Sequence, residues 1–393
     1  MNHNEVIWNS IIKLEKRLSK DGWKGYDPFD GLNAKCLSLL TLDNHYLRIA
    51  LQQFVRRFPI NLRPLLGIKK ATSSKGMGFC ALGYLNLYMV NQKKEYLEKM
   101  RSCLDWLIKN YSRGYSGYCW GNHFSYEARG GRIPLGVPSI VWTSLIANVF
   151  LEANEALNEP EYLAVAKSSG EFILNDIGRY EDANESLCFM YTPSNKDNPN
   201  FDGCIHNSNL LAASLLARLY KHTQNEDLFH IAKKSINYAI KHQLPNGGWY
   251  YGEPKKFHWI DNFHTGYNLE SIYTYIKATG DTENEDKLIK GYKYFIETFF
   301  QNDGMPKYYN HKTYPIDIQC ASQAIQTLIN LREYDASSVE LAKKVAVWTI
   351  KNMQDKNGYF YFRKYPKIIN KTPMFHWGQA TMLSGLAHLL AVN

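Results

Sequence analysis

Residues 206–252 read HNSNLLAASLLARLYKHTQNEDLFHIAKKSINYAIKHQLPNGGWYYG and contain two helical segments of opposite character. The first, His206–Leu219, is small and apolar on nearly every face, whereas the second, Glu226–Gln243, carries one apolar stripe opposite a lysine-bearing face. A helix that is apolar all round is buried all round, and a helix with one apolar stripe covers one side of a core. This stretch therefore predicts an inner helix packed against an outer helix.

The same alternation runs along the whole chain. The segments predicted as inner helices are Gly31–Leu42, Gly76–Val90, Val137–Leu157, His206–Leu219, His264–Tyr275, Asp317–Leu331 and His376–Leu390. Further striped segments, predicted as outer helices, are Glu161–Asp176, Glu283–Phe300 and Ser337–Gln354. Two concentric layers of paired helices indicate an all-α fold. We predict an α/α toroid of six to seven helical hairpins that forms a single domain over residues 1–393, with a rod-like solenoid as the competing arrangement.

Composition and charge limit the function classes. Seven cysteines without a CxxC pair predict reduced thiols, and the N-terminus lacks the apolar core of a signal peptide. We therefore expect a cytoplasmic protein that does not insert into a membrane. The net charge of +9 is scattered along helices without a zinc-finger or RNA-binding signature, so nucleic acid is not an expected partner. The 28 tyrosines indicate an aromatic-lined surface, as carbohydrate pockets often have.

Polar and aromatic residues gather where the predicted inner helices begin. Connections from outer to inner helices should open at one mouth of a toroid, so these residues should surround one pocket. Flat rings there would contact sugar faces, and polar groups would bind hydroxyls. Helix capping is the alternative role for the aspartates. The candidate substrate-binding residues are Trp23, Asp27, Asp30, Trp120, His123, Tyr126, Arg129, His206, Asn207, Trp259, Asn262, His376, Trp377 and Gln379.

Several of these stretches resemble a known family. GYDPFDGLN (25–33), WGNHFSYEAR (120–129), IHNSNLLAASLLARLY (205–220), WIDNFHTGYNLESIYTY (259–275) and FHWGQATMLSGLAHLL (375–390) resemble the VpsJ-like polysaccharide-biosynthesis proteins. The resemblance implies a toroid of the six-hairpin-glycosidase and terpenoid-cyclase-like superfamily. It also implies a substrate among bacterial capsule or exopolysaccharide chains or their precursors, and a place in a polysaccharide-synthesis complex.

Three kinds of function are compatible with these residues. Glycosidase-type cleavage would use two carboxylates, for which Glu127 and Asp261 are the candidates. A uronate lyase or C5-epimerase would instead remove a proton beside a carboxylate, with His264 and Tyr267 as acid and base. The tyrosine excess and the basic charge favour an acidic oligo- or polysaccharide. The third possibility is a non-catalytic glycan-binding protein.

A zinc site is a further hypothesis. Asp202, Cys204 and His264 are similar to the Asp-x-Cys…His ligand set of protein prenyltransferase β subunits. A capping aspartate and a buried cysteine explain the same residues without a metal. We therefore expect no cofactor, with zinc as the alternative.

Overall fold

The computed structural model describes residues 2–182, 185–193 and 204–392. Its helices in chain order are α1 (His3–Lys20), α2 (Lys35–Leu39), α3 (His45–Arg57), α4 (Ser74–Asn91), α5 (Lys94–Lys109), α6 (Ile140–Leu157), α7 (Pro160–Asn175), α8 (His206–Thr223), α9 (Glu226–Lys241), α10 (Asn262–Thr279), α11 (Glu285–Phe299), α12 (Ile318–Asn330), α13 (Ser338–Met353) and α14 (Thr381–Ala391). A π-helical segment, Phe375–Ala380, leads directly into α14, and short 3-10 turns lie at Asp30–Asn33 and Lys255–Phe257.

The helices form a closed double ring. Each of α4, α6, α8, α10, α12 and α14 contacts the next, and α14 returns to contact α4. Their outer partners are α5, α7, α9, α11 and α13, with α1 packed on α14. The predicted α/α toroid is therefore confirmed, and in the described residues it has six hairpins. In α9 the predicted stripe faces inward, since Leu228, Ala232, Ser235 and Ala239 are all buried.

One predicted inner helix is wrong. Gly31–Leu42 forms a 3-10 turn and the short helix α2, in which no residue is buried. Leu39, Leu40 and Leu42 are exposed, and Leu42 and Asp43 adopt positive φ angles of 47° and 56°, which end the helix. The backbone leaves the helical conformation at Ala34 (φ −71°, ψ 80°), and the last inner helix, α14, packs on α1 as its outer partner.

A repeated glutamine turn ties neighbouring outer helices together. After α9, the Gln243 side chain donates to the carbonyl of Lys287 in α11 (2.9 Å). After α13, Gln354 donates in the same way to Ser10 in α1 (3.1 Å), which closes the outer ring. Each turn needs glycine four residues later: Gly358 has φ of 93°, and a Cβ there would lie 2.2 Å from the Lys13 carbonyl oxygen.

Short strands lie in the connections between helices. They are β1 (Tyr126–Ala128), β2 (Gly131–Ile133), β3 (Arg179–Glu181), β4 (Leu187–Phe189), β5 (Ile316–Asp317), β6 (Arg363–Lys364) and β7 (Ile369–Asn370). They pair antiparallel as β1–β2, β3–β4 and β5–β6–β7. Over the described part of the chain, every helix is too short or too polar to cross a membrane.

Candidate active site

A cavity of ≈ 520 Å³ lies at the end of the ring where the inner helices begin. Each of the six inner elements places at least one side chain from its first turns on the wall. These residues are Lys75, Trp142, Asn207, His264, Tyr267, Gln319, His376 and Trp377. The predicted convergence of the inner-helix starts on one pocket is therefore confirmed, and the volume lies within the range of small-molecule sites.

The start of α10 positions the first histidine of the site. Asp261 is the N-cap: its Oδ1 accepts from the backbone N–H of His264 (3.0 Å). Its Oδ2 lies 2.7 Å from His264 Nδ1 and also accepts from the Trp259 indole (2.9 Å). A carboxylate at Nδ1 holds the proton there and leaves the Nε2 lone pair available. His264 lines the cavity, whereas the Asp261 side chain lies wholly behind it.

A second histidine contacts an aspartate, but without the hydrogen-bond geometry of the first pair, since neither Asp27 Oδ2 nor His376 Nδ1 has a hydrogen-bond partner among the described residues. His376 Nδ1 lies 2.5 Å from Asp27 Oδ2, and both side chains are 2% exposed. Burial favours the protonated carboxyl, but His376 and then His123 outweigh it and hold the pKa of Asp27 below its ordinary value. His376 Nε2 has no hydrogen-bond partner among the described residues. Asp27 and His376 both line the cavity, so the two Asp–His pairs share one site.

A buried ion pair holds the segment that carries Asp27. Arg63 Nε donates to Asp30 Oδ1 (2.7 Å), and another guanidinium nitrogen donates to the Asp27 carbonyl (2.8 Å). Asp30 Oδ2 in turn accepts from the Asp27 backbone N–H (3.0 Å). Burial nevertheless raises the pKa of Asp30 to about 6. Asp30, a predicted substrate-binding residue, thus positions Asp27 from outside the cavity.

Glu127 lines the cavity but is held by cations. Its Oε1 lies 2.7 Å from Arg132 Nε and 3.0 Å from Arg48 Nε, and its Oε2 lies 3.1 Å from His45 Nδ1. Gln52 fixes the backbone of the same residue through two hydrogen bonds of 2.8 Å. Both carboxylate oxygens are therefore occupied, and strand β1 is anchored to α3.

Aromatic side chains form much of the cavity wall. The rings of Tyr251 and Trp259 stack with centroids 4.5 Å apart, and the Tyr251 ring lies 4.5 Å from that of His264. Tyr267 accepts a hydrogen bond from Gln319 (3.3 Å), and burial raises its pKa well above the ordinary value. Tyr267 therefore remains a phenol that can donate a hydrogen bond but is a poor base.

Ten predicted site residues line the cavity and eight do not. Those that line it are Asp27, Tyr126, Glu127, Arg129, Asn207, Trp259, His264, Tyr267, His376 and Trp377. Those that lie elsewhere are Trp23, Asp30, Trp120, His123, His206, Asp261, Asn262 and Gln379.

Most residues of the second group have visible structural roles. The Trp120 indole donates to the Leu107 carbonyl (3.0 Å), and the Trp23 indole donates to the Tyr84 hydroxyl (3.3 Å). The Gln379 amide is held by the backbone of Phe360. Asn262 is buried beside its N-cap, with no partner for its side-chain amide in the described residues.

His206 belongs to a separate cluster. Its Nε2 lies 2.6 Å from Glu253 Oε1, and the other oxygen of Glu253 lies 3.3 Å from His242 Nε2. Burial lowers the pKa of His206 more than Glu253 raises it, so its neutral form is favoured. This cluster lies outside the cavity wall.

Several wall residues were missed by sequence reasoning. Lys75 and Trp142 occupy the first turns of α4 and α6, and Arg56 lies near the end of α3. Lys75 had a usable signal, because it is a single charge directly before the apolar run of α4. Arg56 had none, because α3 lies outside the repeating hairpins.

The predicted zinc site remains a prediction. Asp202 lies outside the described residues, and His264 Nδ1 is already occupied by Asp261. Within the described ranges, no three His, Cys, Asp or Glu residues are grouped as metal ligands would be.

Solved structures with the same architecture process sugars. They include cellobiose 2-epimerase from Bacillus thermoamylovorans B4167 (TM-score 0.61, 13% identity, 80% of this chain and 87% of that chain). D-mannose isomerase gives a TM-score of 0.60 at 10% identity, over 81% of this chain and 86% of that chain. The chain is an α/α toroid.

A third similar structure is an α-1,6-mannanase from Salegentibacter sp. HEL1_6 (TM-score 0.56, 16% identity, 81% of this chain and 88% of that chain). It is an inactive variant, with two consecutive aspartates changed to asparagine, in complex with α-1,6-mannotriose. No protein-family model and no curated protein matches the chain, so the VpsJ-like resemblance remains a prediction.

Proposed function

We propose that this protein is a sugar epimerase or isomerase in which His264 and His376 move a proton at a carbon atom of the substrate. The observation that carries the proposal is the pair of Asp–His contacts, 2.7 Å and 2.5 Å long, on one aromatic cavity. Two imidazoles, one hydrogen-bonded to a carboxylate at Nδ1 and the other in ion-pair contact with one, supply an acid and a base to one substrate. The epimerase and isomerase among the similar structures support the same class.

The proposed reaction balances in protons and electrons. An open-chain sugar has a C–H bond beside its carbonyl, and one neutral imidazole removes that proton. The electron pair of the C–H bond forms a C=C bond while the π pair of the carbonyl moves onto its oxygen, and the Tyr267 hydroxyl stabilises the resulting enediolate by donating a hydrogen bond. For epimerisation, the second histidine, as imidazolium, returns a proton to the opposite face of the same carbon. For isomerisation, it protonates the neighbouring carbon while the proton of the adjacent hydroxyl moves to the former carbonyl oxygen. Asp261 and Asp27 stabilise whichever imidazolium is present.

Hydrolysis by Glu127 and Asp261 has less support in this geometry. Glycoside hydrolysis requires two carboxyl groups that face the scissile bond. Both oxygens of Glu127 are engaged by cations, and the Asp261 side chain is 0% exposed. The chain also contains no two consecutive aspartates, the feature replaced in the inactive mannanase. Proton transfer is therefore favoured over cleavage, with His264 and His376 as the acid–base groups; the predicted acid–base role of Tyr267 is replaced by hydrogen-bond donation, because burial keeps its phenol protonated.

The test is hydrogen exchange at carbon. The protein is incubated in D₂O with mannose, cellobiose, glucuronate and mannuronate, and each sugar is followed by proton NMR. We expect one C–H signal to disappear as the epimer or isomer forms. His264→Asn and His376→Asn should each lower the rate by about 10²- to 10⁴-fold. His230→Asn, on the exposed face of α9, should not.

Each other result identifies a different function. Release of reducing ends from mannan oligosaccharides without exchange would replace the proposal with a glycosidase. An ultraviolet-absorbing unsaturated product would indicate a lyase. Tight sugar binding with neither exchange nor product would indicate the non-catalytic glycan-binding function.

We also propose a surface polysaccharide or its precursor as the natural substrate, a cytoplasmic location and a place in a polysaccharide-synthesis complex. The support is the resemblance of the five stretches to VpsJ-like proteins. Deletion of the gene should change the sugar composition of the surface polysaccharide, and an unchanged composition would contradict this assignment.

A further inference from the structure

The carboxylates of the cavity are already neutralised by partners of their own. Asp27 is paired with His376, and Glu127 is paired with Arg48 and Arg132. Neither carboxylate forms an ion pair with a cationic side chain of the cavity wall.

Four cationic side chains line the same cavity without an acidic partner. They are Arg56, Arg57, Lys75 and Arg129, and none forms an ion pair with any described residue. A buried positive charge without a counter-ion is unfavourable, so such charges usually mark a site where an anion binds. Of the four, Arg57 and Arg129 are exposed, Arg56 is half-buried and Lys75 is buried, so the argument about burial concerns Lys75 and Arg56.

Lys75 is the most deeply placed of the four. It is 4% exposed, and its ammonium lies 5.1 Å from the Trp142 ring centroid, 5.7 Å from Phe79 and 5.8 Å from Tyr267. No oxygen of a described residue accepts a hydrogen bond from Lys75. Lys75 also stands in the first turn of α4, where the helix dipole adds positive potential. The three ammonium protons thus have aromatic rings around them and no hydrogen-bond acceptor among the described residues, and the Asp27 carboxylate of the same wall offsets only part of the cost of burial.

Arg56 presents a second unpaired cation. Its guanidinium lies 4.4 Å from the Phe29 ring centroid and 5.7 Å from that of Trp377. Its Nε is buried and has no hydrogen-bond partner among the described residues. Trp377 is itself fixed by Asp317, which accepts from its indole (2.8 Å). Arg56 therefore lies beside the residue that follows His376 in the chain.

We propose that the substrate of this cavity is a sugar that carries an anionic oxygen group, a carboxylate or a phosphate, which Lys75 binds. This inference rests on the proposed function only in taking the cavity as a sugar site. A carboxylate or phosphate would give the ammonium of Lys75 the acceptors that the protein does not provide. Lys75 lies beside Tyr267 and the Asp27–His376 pair. An anionic group bound to Lys75 would therefore lie next to the acid–base groups.

Direct binding tests the inference independently of turnover. Calorimetric titration at pH 7 compares glucose with glucuronate and with glucose 6-phosphate, and mannose with mannuronate. At least one anionic sugar should bind about 10- to 100-fold tighter than its neutral counterpart, as expected for one charge-assisted hydrogen-bonding contact. Preference for the uronates would identify a carboxylate, and preference for the sugar phosphate would identify a phosphate.

Substitutions test which residue causes the preference for anionic sugars. Lys75→Met should remove most of the preference for the anionic sugar over its neutral counterpart. Lys167→Met, on the exposed face of α7, is the matched control and should retain it. Equal binding of neutral and anionic sugars, or a preference that persists in Lys75→Met, would overturn the inference. Preferential binding without exchange in D₂O would refute the epimerase and leave the anion site in place.

Discussion

Replacement of Lys75 by methionine should stabilise the protein at neutral pH. Burial lowers the pKa of Lys75 from 10.5 to about 8, although the Asp27 carboxylate partly offsets this effect. At ~1.4 kcal/mol per pH unit, the lowered pKa corresponds to about 3 kcal/mol of folding free energy lost while the ammonium is charged. Methionine has a similar length and can pack against the Trp142, Phe79 and Tyr267 rings without that cost.

The pH dependence follows from the proton balance. Below pH 8 the lysine is protonated in both the folded and the unfolded chain, so the full cost is present. Between pH 8 and pH 10.5 the unfolded chain binds the proton and the folded chain does not, so wild-type stability rises relative to the variant. Above pH 10.5 the cost is absent. The advantage of Lys75→Met should therefore fall from about 3 kcal/mol at pH 7 towards zero at pH 10.5.

Urea unfolding measures this difference. The free energy of unfolding of wild type, Lys75→Met and the exposed control Lys167→Met is determined at several pH values from 7 to 10.5, with the m-value checked for constancy. Lys167→Met should differ from wild type by less than about 0.5 kcal/mol throughout. If Lys75→Met gains nothing at pH 7, or gains equally at both ends of the range, the ammonium is not desolvated and the reasoning fails.

Three further substitutions distinguish residues that act in the reaction from residues that stabilise the fold. Asp261→Asn keeps the cap on α10 but forces His264 into the tautomer without an Nε2 lone pair. The kcat should therefore fall ~10²- to 10⁴-fold, while the free energy of unfolding measured in urea falls by only about 1 kcal/mol. Glu127→Gln should cost about 1–2 kcal/mol, because its Arg132 and His45 partners are partly exposed, and should retain exchange in D₂O. Loss of exchange in this variant would show that Glu127 takes part in the reaction and would contradict its assignment as a structural residue. Arg63→Met should lower the free energy of unfolding by ~3–5 kcal/mol at pH 8 and by less at pH 5, because protonated Asp30 needs no counter-charge. Thermal or urea unfolding measures this loss, and a loss that does not change with pH would contradict the prediction.

The sequence was sufficient for the architecture because burial patterns are local. His206–Leu219 and Glu226–Gln243 differ in how many faces are apolar, and that difference alone separates inner from outer helices. The mistaken segment, Gly31–Leu42, has the composition and length of an inner helix, but its backbone leaves the helical conformation at Ala34, and α1 is the outer partner of α14. Pairing between the two ends of a chain leaves no periodic signal in either.

The site was predictable only as a set of positions. Asp, His and Trp at the inner-helix starts indicated one pocket, and ten of the predicted residues line it. The pattern did not distinguish His264, which faces the cavity, from His206, which pairs with Glu253 away from it. That distinction depends on side-chain direction within the first helical turn. The sequence also did not reveal that Lys75 lacks an ion-pair partner, because this depends on which side chains surround it in the folded protein.

The hydrogen bond between Gln354 and Ser10 has a consequence for protein synthesis. Its two residues are 344 positions apart, so at ~5–20 residues per second the ribosome needs roughly 20 to 70 s to complete the pair. Until then α1 lacks its α13 and α14 partners, and part of its Ile7, Ile11, Leu14 and Leu18 stripe remains uncovered on the nascent chain. Ribosome-bound chains should therefore recruit chaperones through α1 and release them only after α14 emerges.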